Sequence, residues 1–98
     1  MDYLSIVNQL KKLSPQAIVL FGSHAKGTAS PDSDVDILVV KETSEPFNKR
    51  ITDAHRVIHS KIPVDVIVLT PSELQKYNLT SSFYKSILEN GKVLYGRI

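Results

Sequence analysis

The sequence predicts a single α/β domain (α+β) in which short strands alternate with helices. Three apolar runs have the length and composition of strands: 17–21, 35–40 and 64–69. The first of them is a continuous apolar run, which is typical of a strand buried on both faces. Segments with the 3.6-residue spacing of amphipathic helices flank these runs. A chain of 98 residues supports one modest hydrophobic core. Because we find no internal repeat or linker, we expect one domain over residues 1–98.

The first third of the chain predicts a helix, a strand and a polar connection. Apolar residues at helical spacing predict an amphipathic helix from about Asp2 to Leu13, and Pro15 ends it. Ala17 to Phe21 then reads as a buried strand. Residues 22–33 mix Gly, Ser, Thr and Pro around a possible single helical turn. Val35 to Val40 follows as the second strand.

The middle of the chain predicts a helix that begins near Ser44 and Pro46 and ends before Pro63. Four of its apolar residues keep the spacing of a buried stripe: Phe47, Ile51, Ala54 and Ile58. The third strand, Val64 to Leu69, follows it. This part of the chain therefore repeats the alternation of helix and strand.

The last third predicts two helices and an edge strand. Thr70-Pro71-Ser72-Glu73 has the form of a capping box with proline at the first helical position, so a short helix should follow. A second helix is expected from about Ser82 to Glu89, and it ends at Asn90-Gly91. Val93 to Tyr95 can add a short strand at the edge of the sheet.

Composition and charge exclude several classes of function. The chain has no cysteine, which removes disulfides, thiolate metal sites and cysteine nucleophiles. The net charge of +2 is small and the basic residues are scattered, which argues against a nucleic-acid partner. No apolar run approaches the ~20 residues that span a membrane, and the start of the chain does not look like a signal peptide. We expect a cytoplasmic protein without a membrane partner.

Three aspartates lie where two predicted strands begin. Asp34 and Asp36 are two residues apart, so along a strand they project to one side, although Asp residues after Pro31 could instead cap a turn. Asp65 is the one ionisable residue in its apolar run, where a buried lone carboxylate would be costly. Crowded carboxylates favour bound cations, and oxygen ligands suit Mg²⁺. If the strands are neighbours, the three aspartates predict a site for two cations.

Gly22 and Ser23 follow the first strand and predict a phosphate-binding turn. Glycine lets a backbone approach a ligand closely, and serine adds a hydroxyl and an N–H near a possible helix start. A phosphate-binding turn, metal-binding carboxylates and a third acid are the groups that hold a triphosphate and stabilise in-line attack at phosphorus. The combination predicts phosphoryl-transfer chemistry, which none of these three groups would indicate alone.

These residues resemble a known signature. Gly22-Ser23, ten further residues, Asp34-x-Asp36 and then Asp65 resemble the motif of the polymerase-beta-like nucleotidyltransferase superfamily. The stretch GSHAKGTASPDSDVDILVV is similar to the minimal nucleotidyltransferases of that superfamily, and the likeness extends to the terminal NGKVLY. The resemblance implies a mixed sheet flanked by helices and an enzyme that uses ATP as substrate with two Mg²⁺ ions.

The resemblance also assigns roles to individual residues. It implies that Asp34 and Asp36 bind both metal ions, and that Asp65 binds the catalytic one and can help to deprotonate the acceptor. It further implies that Gly22 and Ser23 hold the outgoing pyrophosphate.

Two positions depart from the family's usual pattern. Where many relatives carry arginine, this chain has His24 and Lys26, and lysine offers a point charge rather than a two-pronged donor. We expect Lys26 to bind phosphate. His24 could contact phosphate or lie at the surface, and the sequence leaves both open.

The resemblance suggests a protein partner. The catalytic core uses nearly the whole chain, so an acceptor would be held by a partner surface or be the partner itself. Minimal nucleotidyltransferases are often paired with helical toxins of the HEPN type, which implies an antitoxin that transfers AMP from ATP to a tyrosine of its toxin. Two alternatives stay open: an antitoxin that acts by contact alone, and transfer to a small molecule such as an aminoglycoside.

Overall fold

A four-stranded mixed sheet with strand order β3-β2-β1-β4 organises the protein. The computed structural model describes residues 3–98. Strand β1 runs antiparallel to both β2 and β4, whereas β2 and β3 are parallel. The strands are β1 Ala17–Phe21, β2 Val35–Val40, β3 Val64–Leu69 and β4 Lys92–Gly96. The α/β fold with a mixed sheet is confirmed, and β4 lies at the edge where the sequence places it.

Within residues 3–98, five α-helices flank this sheet: α1 Tyr3–Leu10, α2 Gly22–Lys26, α3 Phe47–Val57, α4 Pro71–Thr80 and α5 Ser82–Asn90. The predicted first helix tightens into a 3₁₀ turn over Lys11–Leu13 and ends at Ser14, whose φ is 55°. Its predicted first residue, Asp2, lies outside the described residues. No helix within residues 3–98 has the length and apolar character needed to cross a membrane.

Both faces of the sheet are covered, so β1 is buried on both sides as its continuous apolar run predicts, and β2 is buried on both sides as well. One face packs against α1, α2 and α3 through Ile18, Ile37 and Val66. The other packs against α4 and α5, where Leu38 and Leu69 share a cluster with residues of both helices. The described residues therefore form one domain with the sheet between two helical layers.

The predicted buried stripe of α3 is only half right. Ala54 is fully buried, but Phe47 is 46% exposed and Ile51 is 39% exposed. The helix reaches the core through its second half, where Val57 and Ile58 also pack partly against the first cluster. Phe47 instead contacts the guanidinium of Arg50, whose carbon lies 4.6 Å from the ring centre. Helical spacing alone does not show which part of a stripe reaches the core.

The capping box at the start of α4 is confirmed and extends into a clasp between helices. The Glu73 amide donates to the Thr70 hydroxyl at 3.2 Å, and the Thr70 amide donates to the Glu73 carboxylate at 2.8 Å. Arg50 of α3 is only 8% exposed and donates to the same carboxylate at 2.7 Å. Arg50 also donates to the carbonyls of Glu45 and Val68. We call Arg50, Glu73 and Thr70 the clasp.

Candidate active site

Two of the predicted site aspartates lie side by side at the start of the parallel strands. Asp36 of β2 is the register partner of Asp65 of β3, and on its other side it pairs with Phe21 of β1. Because side chains alternate along a strand, these residues share the sheet face of Leu38 and Leu69, which carries α4 and α5. The adjacency that the sequence left open is therefore present.

Burial differs among the three carboxylates. Asp36 is half-buried, whereas Asp34 and Asp65 are exposed. The expectation that Asp65 is buried is wrong, because β3 is an edge strand and Asp65 lies near its open beginning. Its exposure removes the desolvation cost and leaves the carboxylate accessible to a bound substrate.

The electrostatics of this end centre on Asp36. Burial raises the pKa of the Asp36 carboxyl above its ordinary value, and the negative charges of Asp65 and then Asp34 raise it further. The nearby His24 acts in the opposite direction and only partly offsets these effects. No residue within 3–98 forms a salt bridge with Asp36 or Asp65. Asp36 therefore has two acidic neighbours and favours a cation.

The chemistry of these donors fits a hard cation. Paired carboxylate oxygens at adjacent strands are the ligands that Mg²⁺ prefers. Among residues 3–98, however, no group of three or more His, Asp or Glu side chains is arranged to hold a metal ion. The charges of Asp34, Asp36 and Asp65 interact without forming such a group. The assignment of all three as metal ligands stays a prediction.

Gly22 is the point where β1 ends against Asp36 and α2 begins. Its φ of 73° lies in the left-handed region, and a Cβ placed on it would collide with the carboxylate oxygen of Asp36. Gly27, at the other end of α2, has a nearly equal φ of 74° but open space around it. Of these two glycines, Gly22 is the one that needs a close approach, so the phosphate-binding turn predicted there directly adjoins the carboxylate site.

The remaining predicted phosphate ligands lie on α2. Ser23 is half-buried in the first turn of the helix, and its carbonyl accepts hydrogen bonds from the amides of Gly27 and Thr28. Lys26 is exposed and lines a groove of about 130 Å³ between α2 and α5. Gly22 lines the same groove. The placement brings these residues together on one side of Asp36, and their contact with phosphate stays a prediction.

Sequence reasoning missed two features around this site. The groove has an aromatic wall, where Phe83 of α5 packs edge-on against Phe21 with ring centres 5.9 Å apart. His24 is held by Tyr3 and Ser33, 21 residues before it and nine after it. Neither feature has a spacing signal, because each joins elements that only the fold brings together. The position of His24 beside Ser23 is the one hint the sequence offers.

Residues 2–94 of the chain match the family described as Nucleotidyltransferase domain. Two similar proteins come from Methanocaldococcus jannaschii. One is named Putative protein adenylyltransferase MJ0604 and is 34% identical over 79 residues, which cover 80% of this chain and 76% of that protein. The other, Putative protein adenylyltransferase MJ1305, is 32% identical over 90 residues. That match covers 83% of this chain but only 58% of the relative.

Solved structures share the fold. A toxin–antitoxin structure with AMP-PNP is 25% identical with a TM-score of 0.68, and the match covers 99% of this chain and 75% of that one. A mutant of the toxin–antitoxin complex MntA-HpeT and a putative nucleotidyltransferase from Sulfolobus solfataricus give TM-scores of 0.64 and 0.63 at 24% and 22% identity. They cover 99% and 97% of this chain, and 74% and 86% of their own. The family match over nearly the whole chain and the shared fold lead to one conclusion: this chain belongs to the nucleotidyltransferase family and is a nucleotidyltransferase.

Proposed function

We propose that this protein is an antitoxin that transfers AMP from ATP to a tyrosine of a helical HEPN-type toxin and releases pyrophosphate. Residues 1–98 would act as one nucleotidyltransferase domain in the cytoplasm. The observation that carries the proposal is the pairing of Asp36 with Asp65 on parallel strands, directly beside the close approach of Gly22. This juxtaposition supports the proposal, because carboxylates suited to cations lie next to a turn suited to phosphate.

The proposed site binds Mg²⁺ and triphosphate with different residues. Asp34 and Asp36 would hold both cations, and Asp65 would hold the catalytic one. When bound, the cations neutralise charge on the attacked phosphate and lower the pKa of the acceptor hydroxyl. The raised pKa of Asp36 supports this assignment, because a carboxylate with two acidic neighbours gains most from a cation.

The chain's own residues orient the reacting groups. Gly22, Ser23 and Lys26 would hold the β- and γ-phosphates, so that the α-phosphorus lies near the paired aspartates. The acceptor oxygen forms a bond to the α-phosphorus while the bond between that phosphorus and the oxygen bridging to the β-phosphate breaks. Pyrophosphate leaves, and the hydroxyl proton passes to the carboxylate of Asp65. The exposure of Asp65 supports this role, because an acceptor from outside the domain can reach it.

Two findings support a protein acceptor. The relatives from Methanocaldococcus jannaschii are named for adenylyl transfer to proteins, and the structure with AMP-PNP is a toxin–antitoxin pair. Asp34 and Asp65 are also exposed, and the groove beside Gly22 has a volume of only about 130 Å³. A partner's surface would then supply the orientation that this domain leaves to its acceptor.

Intact-mass measurement tests this function directly. The protein is purified with the product of the neighbouring gene and incubated with ATP and Mg²⁺. We expect the partner to gain the mass of one or more AMP units, located on tyrosine by peptide mapping. Asp36→Asn should abolish the gain, whereas Asp53→Asn, the same change at a carboxylate ion-paired with Lys49 on α3, should leave it unchanged.

Other outcomes identify the alternatives. A partner that is bound and silenced without any mass gain indicates an antitoxin that acts by contact alone. A gain that persists in Asp36→Asn would place the chemistry elsewhere. If no partner is modified but small acceptors such as an aminoglycoside are, the protein is a small-molecule nucleotidyltransferase.

A further inference from the structure

We propose that His24 is a positioning residue that fixes the phosphate-binding turn relative to the peptide that carries Asp34. The inference rests on the proposed function, since it assumes that both segments contact the nucleotide or its cations. His24 follows Ser23 directly in α2, so its backbone is part of the turn. Its side chain reaches two other elements and joins them to α2.

The hydrogen bonds of the imidazole define how it is held. The Nε2 atom lies 3.1 Å from the carbonyl oxygen of Ser33, and a carbonyl can only accept. Nε2 therefore carries a proton and donates it. The Nδ1 atom lies 2.7 Å from the hydroxyl oxygen of Tyr3, and these two atoms share the second hydrogen bond of the ring. Both nitrogens are thus engaged, and the ring plane is fixed.

The bond to Ser33 acts on Asp34 through the peptide plane. The Ser33 carbonyl and the Asp34 amide belong to one rigid planar unit, so anchoring the carbonyl fixes the plane from which Asp34 continues. The turn before it is closed locally, because the Ser33 amide donates to the Ser30 carbonyl at 3.1 Å and the Ser30 amide donates to the Ser33 hydroxyl at 2.9 Å. His24 ties this closed turn to α2.

The bond to Tyr3 connects the same ring to the core. Tyr3 meets His24 edge-on, with ring centres 5.8 Å apart and an interplanar angle of 90°. Tyr3 begins α1, whose residues Ile6 and Leu10 are buried in the main core cluster. The imidazole of His24 is therefore bonded to α1, a helix that is anchored in the core. Because both ring nitrogens are engaged, the ring neither points freely to solvent nor has a nitrogen left for phosphate, so neither of the two roles that the sequence left open describes it.

This geometry predicts a particular kinetic defect. Without His24, the groups that bind the triphosphate remain on α2, but Asp34 is no longer held relative to them. Nucleotide affinity should change little, whereas the step that needs all groups aligned should slow. We expect His24→Ala to lower kcat about 10-fold, the scale of one lost hydrogen bond, with KM for ATP changed less than about 3-fold.

The experiment compares matched variants of the full chain. His24→Ala removes both hydrogen bonds, and Tyr3→Phe removes only the bond to Nδ1. His24→Gln can place an amide N–H near the position of Nε2 and donate to Ser33, so it should recover most of the lost kcat. His55→Ala changes an exposed histidine of α3 and should match the wild type. Recovery by glutamine separates positioning from a general loss of stability, which melting temperatures check in parallel.

Two results would overturn the proposal. One is a kcat for His24→Ala within 2-fold of His55→Ala, and the other is a His24→Gln variant as slow as His24→Ala. If the wild type transfers no nucleotide, the proposed function fails instead. Amide hydrogen exchange over residues 28–34 then tests the positioning role of His24. We expect the exchange rate to rise about 10-fold in His24→Ala and to stay unchanged in His24→Gln. Unchanged exchange in His24→Ala would overturn the proposal without any activity measurement.

Discussion

Carboxylates at the two ends of the parallel pair β2–β3 have pKa shifts of opposite direction. Where the strands begin, Asp36 and Asp65 lie side by side, and the pKa of Asp36 is raised by burial and by its acidic neighbours. Just beyond the other end, Glu73 lies in the clasp. Burial acts to raise the Glu73 pKa, but hydrogen bonds from Arg50 and Thr70 outweigh it, so the pKa is lowered.

We relate the clasp at one end of the sheet to stability and the Asp36 end to the proposed function. In the clasp, the charges of Arg50 and Glu73 pair with each other, and this ion pair joins α3 to α4. The Asp36 end leaves like charges together, which costs folding free energy unless a ligand supplies positive charge. This contrast between a paired carboxylate and two neighbouring like charges is why we propose the Asp36 end as the end that binds the nucleotide.

The largest expected effect is on transfer by Asp36→Asn. The change conserves volume but removes a charge that we propose binds metal, so transfer should fall by more than about 100-fold, the scale of losing one group that stabilises transition-state charge. The stability of the ligand-free protein should hold or rise, because the crowding of carboxylates is relieved. Steady-state transfer kinetics and urea unfolding measure the two halves. A fully active Asp36→Asn variant would contradict the proposal that nucleotide transfer takes place at the Asp36 end.

A pair of glycine variants tests the contact between the phosphate-binding turn and the carboxylates. Gly22→Ala and Gly27→Ala both force alanine into the left-handed region, which costs about 1–2 kcal/mol each. Only Gly22→Ala also collides with Asp36. We expect Gly22→Ala to lose transfer by about 100-fold or more and Gly27→Ala to stay within a few fold of the wild type. Equal losses in both variants would mean that the helix, not the Asp36 contact, matters.

At the other end, Arg50→Met should affect stability and not chemistry. Removing the guanidinium leaves Glu73 without its charged partner and should lower the free energy of unfolding by about 2 kcal/mol. Transfer measured well below the melting temperature should be unchanged. Arg56→Met, at an exposed position of the same helix, is the matched control and should cost less than about 0.5 kcal/mol. A loss of transfer in folded Arg50→Met would contradict the view that the clasp contributes to stability and not to catalysis.

The smallest effect is a difference in pH dependence. The pKa of Glu73 is lower in the folded protein than in the unfolded chain, where it is near 4.5. The ionised Glu73 therefore stabilises the fold at pH values above 4.5, and this stability is lost as the pH falls through the folded-state pKa. The raised pKa of Asp36 has the opposite sign, since it destabilises the fold increasingly as pH rises above 3.8 through the folded pKa. Unfolding across pH 3–7 should therefore show Glu73→Gln below the wild type and Asp36→Asn at or above it. Both gaps should close at the acidic limit, and gaps of the same sign would contradict the comparison.

Much of this fold can be read from the sequence because its signals are local. The strands over 17–21, 35–40 and 64–69 have the bounds that their apolar runs predict, and the capping box at Thr70 marks the start of α4. The exposure of Phe47 and Ile51 could not be predicted, because helical spacing does not show which part of an apolar stripe contacts the core.

The candidate site was predictable in composition and only partly in geometry. The motif around Gly22 and Asp36 identifies the residues, and their adjacency to Asp65 follows from strand order, which the sequence alone does not give. The exposure of Asp65 depends on β3 being an edge strand. The bonds of His24 to Tyr3 and Ser33 depend on three elements meeting, so no spacing could indicate them.

Thermal unfolding with and without Mg²⁺ and ATP tests most directly whether the Asp36 end is the nucleotide site. At a ligand concentration of about 100 times Kd, binding should stabilise the wild type by about 2.7 kcal/mol and raise its melting temperature. Asp36→Asn should show little of this shift, whereas Asp53→Asn should show all of it. A wild type that gains no stability at saturating Mg²⁺ and ATP, or an Asp36→Asn variant that gains as much as the wild type, would contradict the assignment of this end of the sheet as the active site.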